Sequence, residues 1–315
     1  MAPQPLTGVA ASPDTVGRYR KNGQIVITFR EAIRQKDFVV TVELPLQAAT
    51  TASDVRQHID VLAPVVDAAQ VGEDESATGH MSSLAAASIV RDGGVDAILR
   101  ISCRDRNRIA LQSDILGAAA LGIDSLILVR GEKLLDTGAI RAKGVFEIGS
   151  TRLLQLASRL GSESGLIPEP GLFLGSRVMA FKPAEDWSAQ LIQQKLDAGA
   201  SFLQTQPCLN ADVLRAYMDK LIERRILRRA SAVITVPLLL CAQDARQVRE
   251  IHKGAPIPDA LVERIEQSND PVAEGVAVCA AFVRELRDLP GVSGVNIQYR
   301  GDPGNVVATL EQAKS

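Results

Sequence analysis

The chain has 315 residues, 46% of them hydrophobic and 23% charged, enough apolar content to bury a large core in one or two domains. With 35 basic against 37 acidic residues and only 3% aromatic residues, it lacks a general electrostatic grip on nucleic acid or an anionic membrane, and lacks a base-stacking surface. Four widely spaced cysteines (Cys103, Cys208, Cys241, Cys279) without a CxxC pair read as buried thiols, and three scattered histidines form no metal-ligand pattern, so no metal site is expected.

Residues 1–22 read as a polar, proline-containing N-terminal extension, and residues 23–315 as one catalytic domain. The opening MAPQPLTGVAASPD does not have the form of a signal peptide, and no apolar run is long enough to span a bilayer. A cytoplasmic protein is the expectation, and a homo-oligomer is compatible with this composition.

From there, short apolar runs alternate with helical stretches. Strands are expected at 38–45 (FVVTVELP), 68–73 (AAQVGE), 96–102 (DAILRIS) and 125–131 (SLILVRG). Four more are expected at 172–181 (LFLGSRVMAF), 201–207 (SFLQTQP), 232–240 (AVITVPLLL) and 294–300 (GVNIQYR). Between them, TASDVRQHIDVLAPVV (51–66) opens on a Ser/Thr/Asp cap and continues with helical spacing, and WSAQLIQQKLDAGA (187–200) runs to a glycine near its end. Strands rich in Val, Ile and Leu alternating with helices predict a buried parallel sheet. Eight such units predict a (β/α)8 barrel in a single domain, for which about 250 residues of core are typical. An open doubly wound sheet is the rival, disfavoured because no GxGxxG follows the first strand.

In a barrel, chemistry belongs where strands end. That rule nominates Glu43, then Gly72 and Glu73, then Arg100 to Arg104, then Arg130, Gly131 and Glu132. Lys182, the Gln204–Thr205–Gln206 run and Gln298–Tyr299–Arg300 complete the set. Glu43 sits among apolar neighbours in VVTVELPL, where desolvation would disfavour its charged form and suit it to general acid work. The bland alternative, a strand-end carboxylate paired with a basic neighbour, is equally weighted. Gln204 and Gln206 share one strand face and offer both donors and acceptors to a heterocycle. Lys195 lies in a last helical turn, where it also suits the helix dipole. The segment SCRDRNRIALQSDILGAAALGI (102–123) is unusually charged at its start. A helix capped by Asp105, with the remaining arginines bracing loops, is the expectation.

Five segments together resemble the methylenetetrahydrofolate reductase family: SCRDRNRIALQSDILGAAALGI, LVRGE, KLDAGASFLQTQP, IPDALVERIEQSNDPVAEGVAV and LPGVSGVNIQYRG, in order and spacing. The resemblance covers the chain from about Phe38 to its C-terminal helix. It implies a (β/α)8 barrel that interconverts 5,10-methylene- and 5-methyltetrahydrofolate with NADH or NADPH, usually through FAD, in one-carbon metabolism and methionine biosynthesis. The partners implied are a folate and a nicotinamide nucleotide. It implies Glu43 as the catalytic acid and Gln206, Gln204 and Glu132 as folate contacts. It implies Arg100, Ser102, Arg130, Gly131, Glu132, Gly149 and Lys195 around the cofactor. The chain departs from the family pattern at Glu132 (commonly Asp), Arg100 (often His), Gly72 (commonly Thr), VFEIGSTRL and QYRGDPG. Those departures keep two alternatives open: direct hydride transfer without tightly bound flavin, and a non-catalytic folate-binding partner subunit.

Overall fold

The computed structural model describes residues 18–21, 24–73, 79–132, 142–163, 165 and 167–314. Two short strands, β1 (Arg18–Lys21) and β2 (Gln24–Ile27), pair antiparallel, so the boundary drawn at residue 22 falls between hydrogen-bonded partners. The rest of the expected extension, residues 1–17, lies outside the described residues. Helix α1 (Phe29–Gln35) follows, its first turn capped by Thr28, and leads into the first barrel strand.

Eight parallel strands then close on themselves, so the open-sheet rival is excluded. They are β3 (Val39–Glu43), β4 (Ala68–Val71), β5 (Asp96–Ser102), β6 (Ser125–Val129), β7 (Phe173–Val178), β8 (Phe202–Thr205), β9 (Ser231–Pro237) and β10 (Val292–Gln298). β10 pairs with both β9 and β3, which seals the barrel. Every expected strand is present, most of them shorter at the C-terminal end, because the polar exits bend into loops.

The helices pack outside. α2 (Ala52–Leu62) has the anticipated cap at Thr51, with Asp54 completing a capping box. α3 (Ser83–Asp92), α4 (Arg108–Ala120), α5 (Ser150–Glu163), α6 (Gln190–Asp197) and α7 (Ala211–Glu223) follow in alternation. The last connection holds α8 (Ala242–Ile251), α9 (Asp259–Gln267) and α10 (Pro271–Arg287), and α11 (Gly304–Gln312) ends the chain. The α4 cap is Asn107, whose side chain accepts from the Ala110 N–H; the expected cap, Asp105, pairs with Arg104 instead. No helix among the described residues is long and apolar enough to cross a membrane. Cys103, Cys208 and Cys279 are buried as expected, whereas Cys241 is exposed at the start of α8.

Strand alternation divides the interior into two ends. At the N-terminal end, Val39, Ala68, Ile98, Ile127, Phe173, Phe202 and Val233 cluster with Phe29 of α1, which plugs the barrel base. Phe29 meets Phe202 edge-on at 5.2 Å, and Phe173 stacks on Phe202 at 5.0 Å. Asp96 fixes this plug by accepting the Phe29 N–H at 2.7 Å.

That anchor carries an electrostatic cost. Burial, with Asp124 nearby, pushes the Asp96 carboxyl up to about 7. A carboxyl raised in the folded state binds a proton there that the unfolded chain releases at lower pH. Stability therefore falls as pH rises from about 4 to 7, by on the order of 4 kcal/mol. Asp96→Asn keeps an acceptor for Phe29 and removes the charge. Its melting temperature is expected to gain on the parent progressively from pH 5 to pH 8; a difference independent of pH would refute the assignment.

Candidate functional site

At the C-terminal end the inward positions turn polar. β3 places Glu43 inward while Val42 and Leu44 face the helices, so the apolar neighbours in the sequence are not the surroundings of the carboxylate. Glu43, Gln70 and Gln298 stand side by side in register on β3, β4 and β10. Arg100, inward on β5, donates from Nη1 to Glu43 Oε1 at 2.5 Å and from Nη2 to the Glu73 carbonyl at 2.8 Å. Gln70 Nε2 donates to the other carboxylate oxygen at 3.3 Å. Glu43 and Arg100 are only 7% and 4% exposed, so this is a buried ion pair. The expectation of an apolar setting for Glu43 is thus corrected: the pairing alternative holds, because residues i±1 on a strand point the other way.

The charged start of the 102–123 segment belongs to the same network. Ser102 N–H donates to Glu73 Oε1, and Arg106 bridges Glu73 and Asp114. Arg104 forks onto Asp105, and Arg108 holds Glu147. The arginines therefore brace the β4 and β6 exits, as expected of them. Two of the residues anticipated around a cofactor, Arg100 and Ser102, are committed to this network and do not line the neighbouring cleft.

That cleft opens over β6, β7 and β8, with a volume of about 290 Å³. Arg130, Gly131, Glu132, Lys195 and Gln206 all line it, so five of the expected site residues converge. Gly131 needs its glycine: φ is +83° and a Cβ would lie 2.8 Å from that of Arg104. Gly149 is not among the lining residues, but its neighbour Ser150, the first residue of α5, is. Gln204 faces the barrel interior instead, 2% exposed, with Nε2 donating to Thr235 Oγ1 at 3.0 Å. Its amide therefore braces β8 against β9, below the cleft.

The sequence reading missed Arg177 and Ser176, which line the cleft from β7. Period-two alternation from Phe173 and Gly175 would have placed Arg177 inward. It also missed the contact of His58 with Tyr299. The two lie 241 positions apart, yet His58 Nδ1 and the Tyr299 hydroxyl are 2.7 Å apart. His58 borders a second cavity of about 300 Å³ between the β3 exit and α2, and burial holds its imidazole below the usual value.

Lys195 gives the main cleft its character. Nζ donates to the Arg177 carbonyl at 2.5 Å, and burial, then the Arg177 charge, pulls the ammonium down to about 8. Arg130, Arg177 and Lys195 make the cleft cationic, while Ser176 Oγ and Gln206 Oε1 are buried polar atoms without protein partners among the described residues. Groups of this kind suit the phosphates and polar ring of a dinucleotide.

The closed barrel and its polar C-terminal mouth define a (β/α)8 protein whose functional face is the ring of strand exits. The chain belongs to the methylenetetrahydrofolate reductase family, whose sequence model matches residues 28–297. It is similar in structure to an uncharacterized protein from Clostridium thermocellum that binds two copies of 5-methyl-5,6,7,8-tetrahydrofolic acid. The TM-score is 0.65 at 14% identity over 90% of this chain and 97% of that one. It is also similar to fungal beta-1,4-galactanases, with a TM-score of 0.52 at 10% identity over 82% and 88% of the two chains. At such identities these two likenesses speak for the barrel alone. A comparison with curated proteins returns no match.

A polyanion entering the cleft favours protonated Lys195, so its binding takes up a proton near pH 8. The affinity for NADH, measured by calorimetry, is expected to fall as pH rises above about 8. Lys195→Met should weaken binding and flatten that dependence; a pH-independent affinity in the parent protein would rule out Lys195 as a contact.

Proposed function

We propose that the protein is a methylenetetrahydrofolate reductase, transferring hydride between a nicotinamide nucleotide and the one-carbon unit of a folate. The observation that carries this reading is the buried Glu43–Arg100 pair at the barrel mouth, beside a cationic cleft holding Lys195 and Gln206. Family membership supports it, and so does the folate bound by the Clostridium thermocellum protein of the same fold.

The chemistry asks the protein for a proton carrier. In the reductive direction, protonation of a ring nitrogen opens the five-membered ring to an iminium, and hydride then reaches the exocyclic carbon. In the oxidative direction hydride leaves the methyl group, the ring closes, and that nitrogen gives up its proton. Glu43 carries the proton in both directions. The ion pair with Arg100 presents Glu43 as a carboxylate, ready to accept in the oxidative direction; in the reductive direction it first takes up a proton. Gln206 and Glu132 line the same cleft and offer hydrogen bonds to the folate ring.

The cleft residues also fit FAD: Arg130, Arg177 and Lys195 would hold its phosphates, and Gln206 its polar ring edge. When bound, FAD supplies a two-electron carrier between nicotinamide and folate. One observation favours a second reading, direct transfer from nicotinamide to folate. Arg100 and Ser102, expected at the flavin, are instead bound to Glu43 and Glu73.

The absorption spectrum of the purified protein separates the two: flavin bands near stoichiometry for the relay, none for direct transfer. In either case Glu43→Gln should lower folate-dependent NADH oxidation by about 10²–10⁴-fold. Nucleotide binding in the Lys195 cleft should persist. Because the variant leaves Arg100 buried without its charge partner, it should also be less stable, by roughly 3–5 kcal/mol. Turnover close to that of the parent protein would remove Glu43 from the mechanism.

A further inference from the structure

We propose that Arg100 is the positioning residue for Glu43, and that Gly72 is a glycine in order to let Arg100 lie where it does. The inference rests on the role of Glu43 proposed above and adds to it the device that aims the carboxylate.

Arg100 stands next to Gly72 across the β4–β5 pair, since Val71 is in register with Leu99. Its side chain runs over the Gly72 backbone towards β3. A Cβ at position 72 would come within 2.3 Å of Arg100 Nε and 2.8 Å of Arg100 Cβ and Cζ. Gly72 is outside the left-handed region, so its backbone conformation does not call for glycine. Space does. The vacated volume is filled by the guanidinium, which reaches Glu43 Oε1 with one nitrogen and the Glu73 carbonyl with another.

The contact to the Glu73 carbonyl fixes the rigid, planar fork, and the fork in turn places Glu43 Oε1, which a lysine ammonium on a flexible stem would not do. Among the described residues, the polar and charged groups around Glu43 come from three strands and their exits. Gln70 and Glu73 come from β4 and its exit, Arg100 from β5, and Gln298, Tyr299 and Arg300 from β10 and its exit. Beside Glu43 and Arg100, about 60 Å³ is left open among these groups and the β3 exit. Among the described residues, Arg100 is not part of the lining of the cationic cleft, and its guanidinium runs to Glu43 and the Glu73 carbonyl.

The test is a double-mutant cycle on Gly72→Ala and Arg100→Lys, neither of which removes a charge. Each is expected to lower kcat by about a hundredfold, the scale of a 1 Å misplacement, with little change in KM for the folate. If Gly72 acts through Arg100, the double variant is no worse than either single one. Wild-type kcat in both single variants, or losses that multiply independently, would overturn the proposal.

A second readout does not depend on turnover. Gly72→Ala and Arg100→Lys should each lower the melting temperature, and the double variant should fall no further than the worse single one. Melting-temperature losses that add independently overturn the positioning role even if the parent protein shows no folate-dependent turnover. That absence of turnover would instead count against the proposed reaction.

Discussion

The mouth of this barrel is organised around one buried ion pair, Glu43 with Arg100. Two charges removed from water cost several kcal/mol each, and their attraction offsets this only when the remaining donors and acceptors are also satisfied. The surrounding residues meet that demand. Gln70 takes one carboxylate oxygen, the Glu73 carbonyl takes a second guanidinium nitrogen, and Glu73 is in turn held by Ser102 and Arg106. Arg106 ends the chain of contacts on Asp114 of α4. The run of arginines after β5 is therefore the outer part of a network whose inner end is Glu43. Its positive charges neutralise buried acids and fasten the β5 exit to its neighbours.

The barrel was legible in the sequence because parallel strands buried on both faces read as plain apolar runs. β5 is expected and observed over the same seven residues, Asp96–Ser102. Environment was harder to read than position. Val42 and Leu44 flank Glu43 in the chain but lie on the opposite face of β3, so nearness in sequence misreported the surroundings of the carboxylate. The Asp105 expectation failed because Arg104 competes for that carboxylate, leaving Asn107 to cap α4. Contacts between distant segments were invisible, as His58 with Tyr299 shows. The cleft residues Arg130, Gly131, Glu132, Lys195 and Gln206 were found through strand exits and the family resemblance. Arg177 was missed because the β7 run was read only for its exit residue and not for the alternation that puts Phe173, Gly175 and Arg177 on one face.

The two ends of the barrel divide stability from chemistry. At the base, Phe29 of α1, Phe173 and Phe202 form a packed aromatic plug, oriented by Asp96 on the Phe29 N–H and by Arg30 on the Pro170 and Gly171 carbonyls. Burying Asp96 costs stability at neutral pH, yet the end it serves is otherwise apolar and contributes most of the hydrophobic gain inside the barrel. At the mouth the balance is reversed: inward positions are spent on Glu43, Gln70, Arg100, Gln204, Asn296 and Gln298, which fill space without adding much apolar burial. A barrel can carry such a mouth because its base supplies the packing.

The mouth itself is asymmetric. On the β3–β5 side Glu43, Arg100, Glu73 and Arg106 are tied to one another, with about 60 Å³ open beside Glu43. On the β6–β8 side a cleft of about 290 Å³ opens, Lys195 and Arg177 crowd like charges together, and among the described residues Ser176 Oγ and Gln206 Oε1 have no protein partner. Buried polar atoms of that kind are expensive unless something else satisfies them. The Glu43–Arg100 network ties its charged groups to their neighbours, and the cationic cleft gains from a ligand that brings anionic oxygens and hydrogen-bond donors. On the proposed function, the first half handles the proton and the second binds the hydride donor. Glu132 and Gln206 in the cleft lining supply the polar contacts where folate and nucleotide would meet.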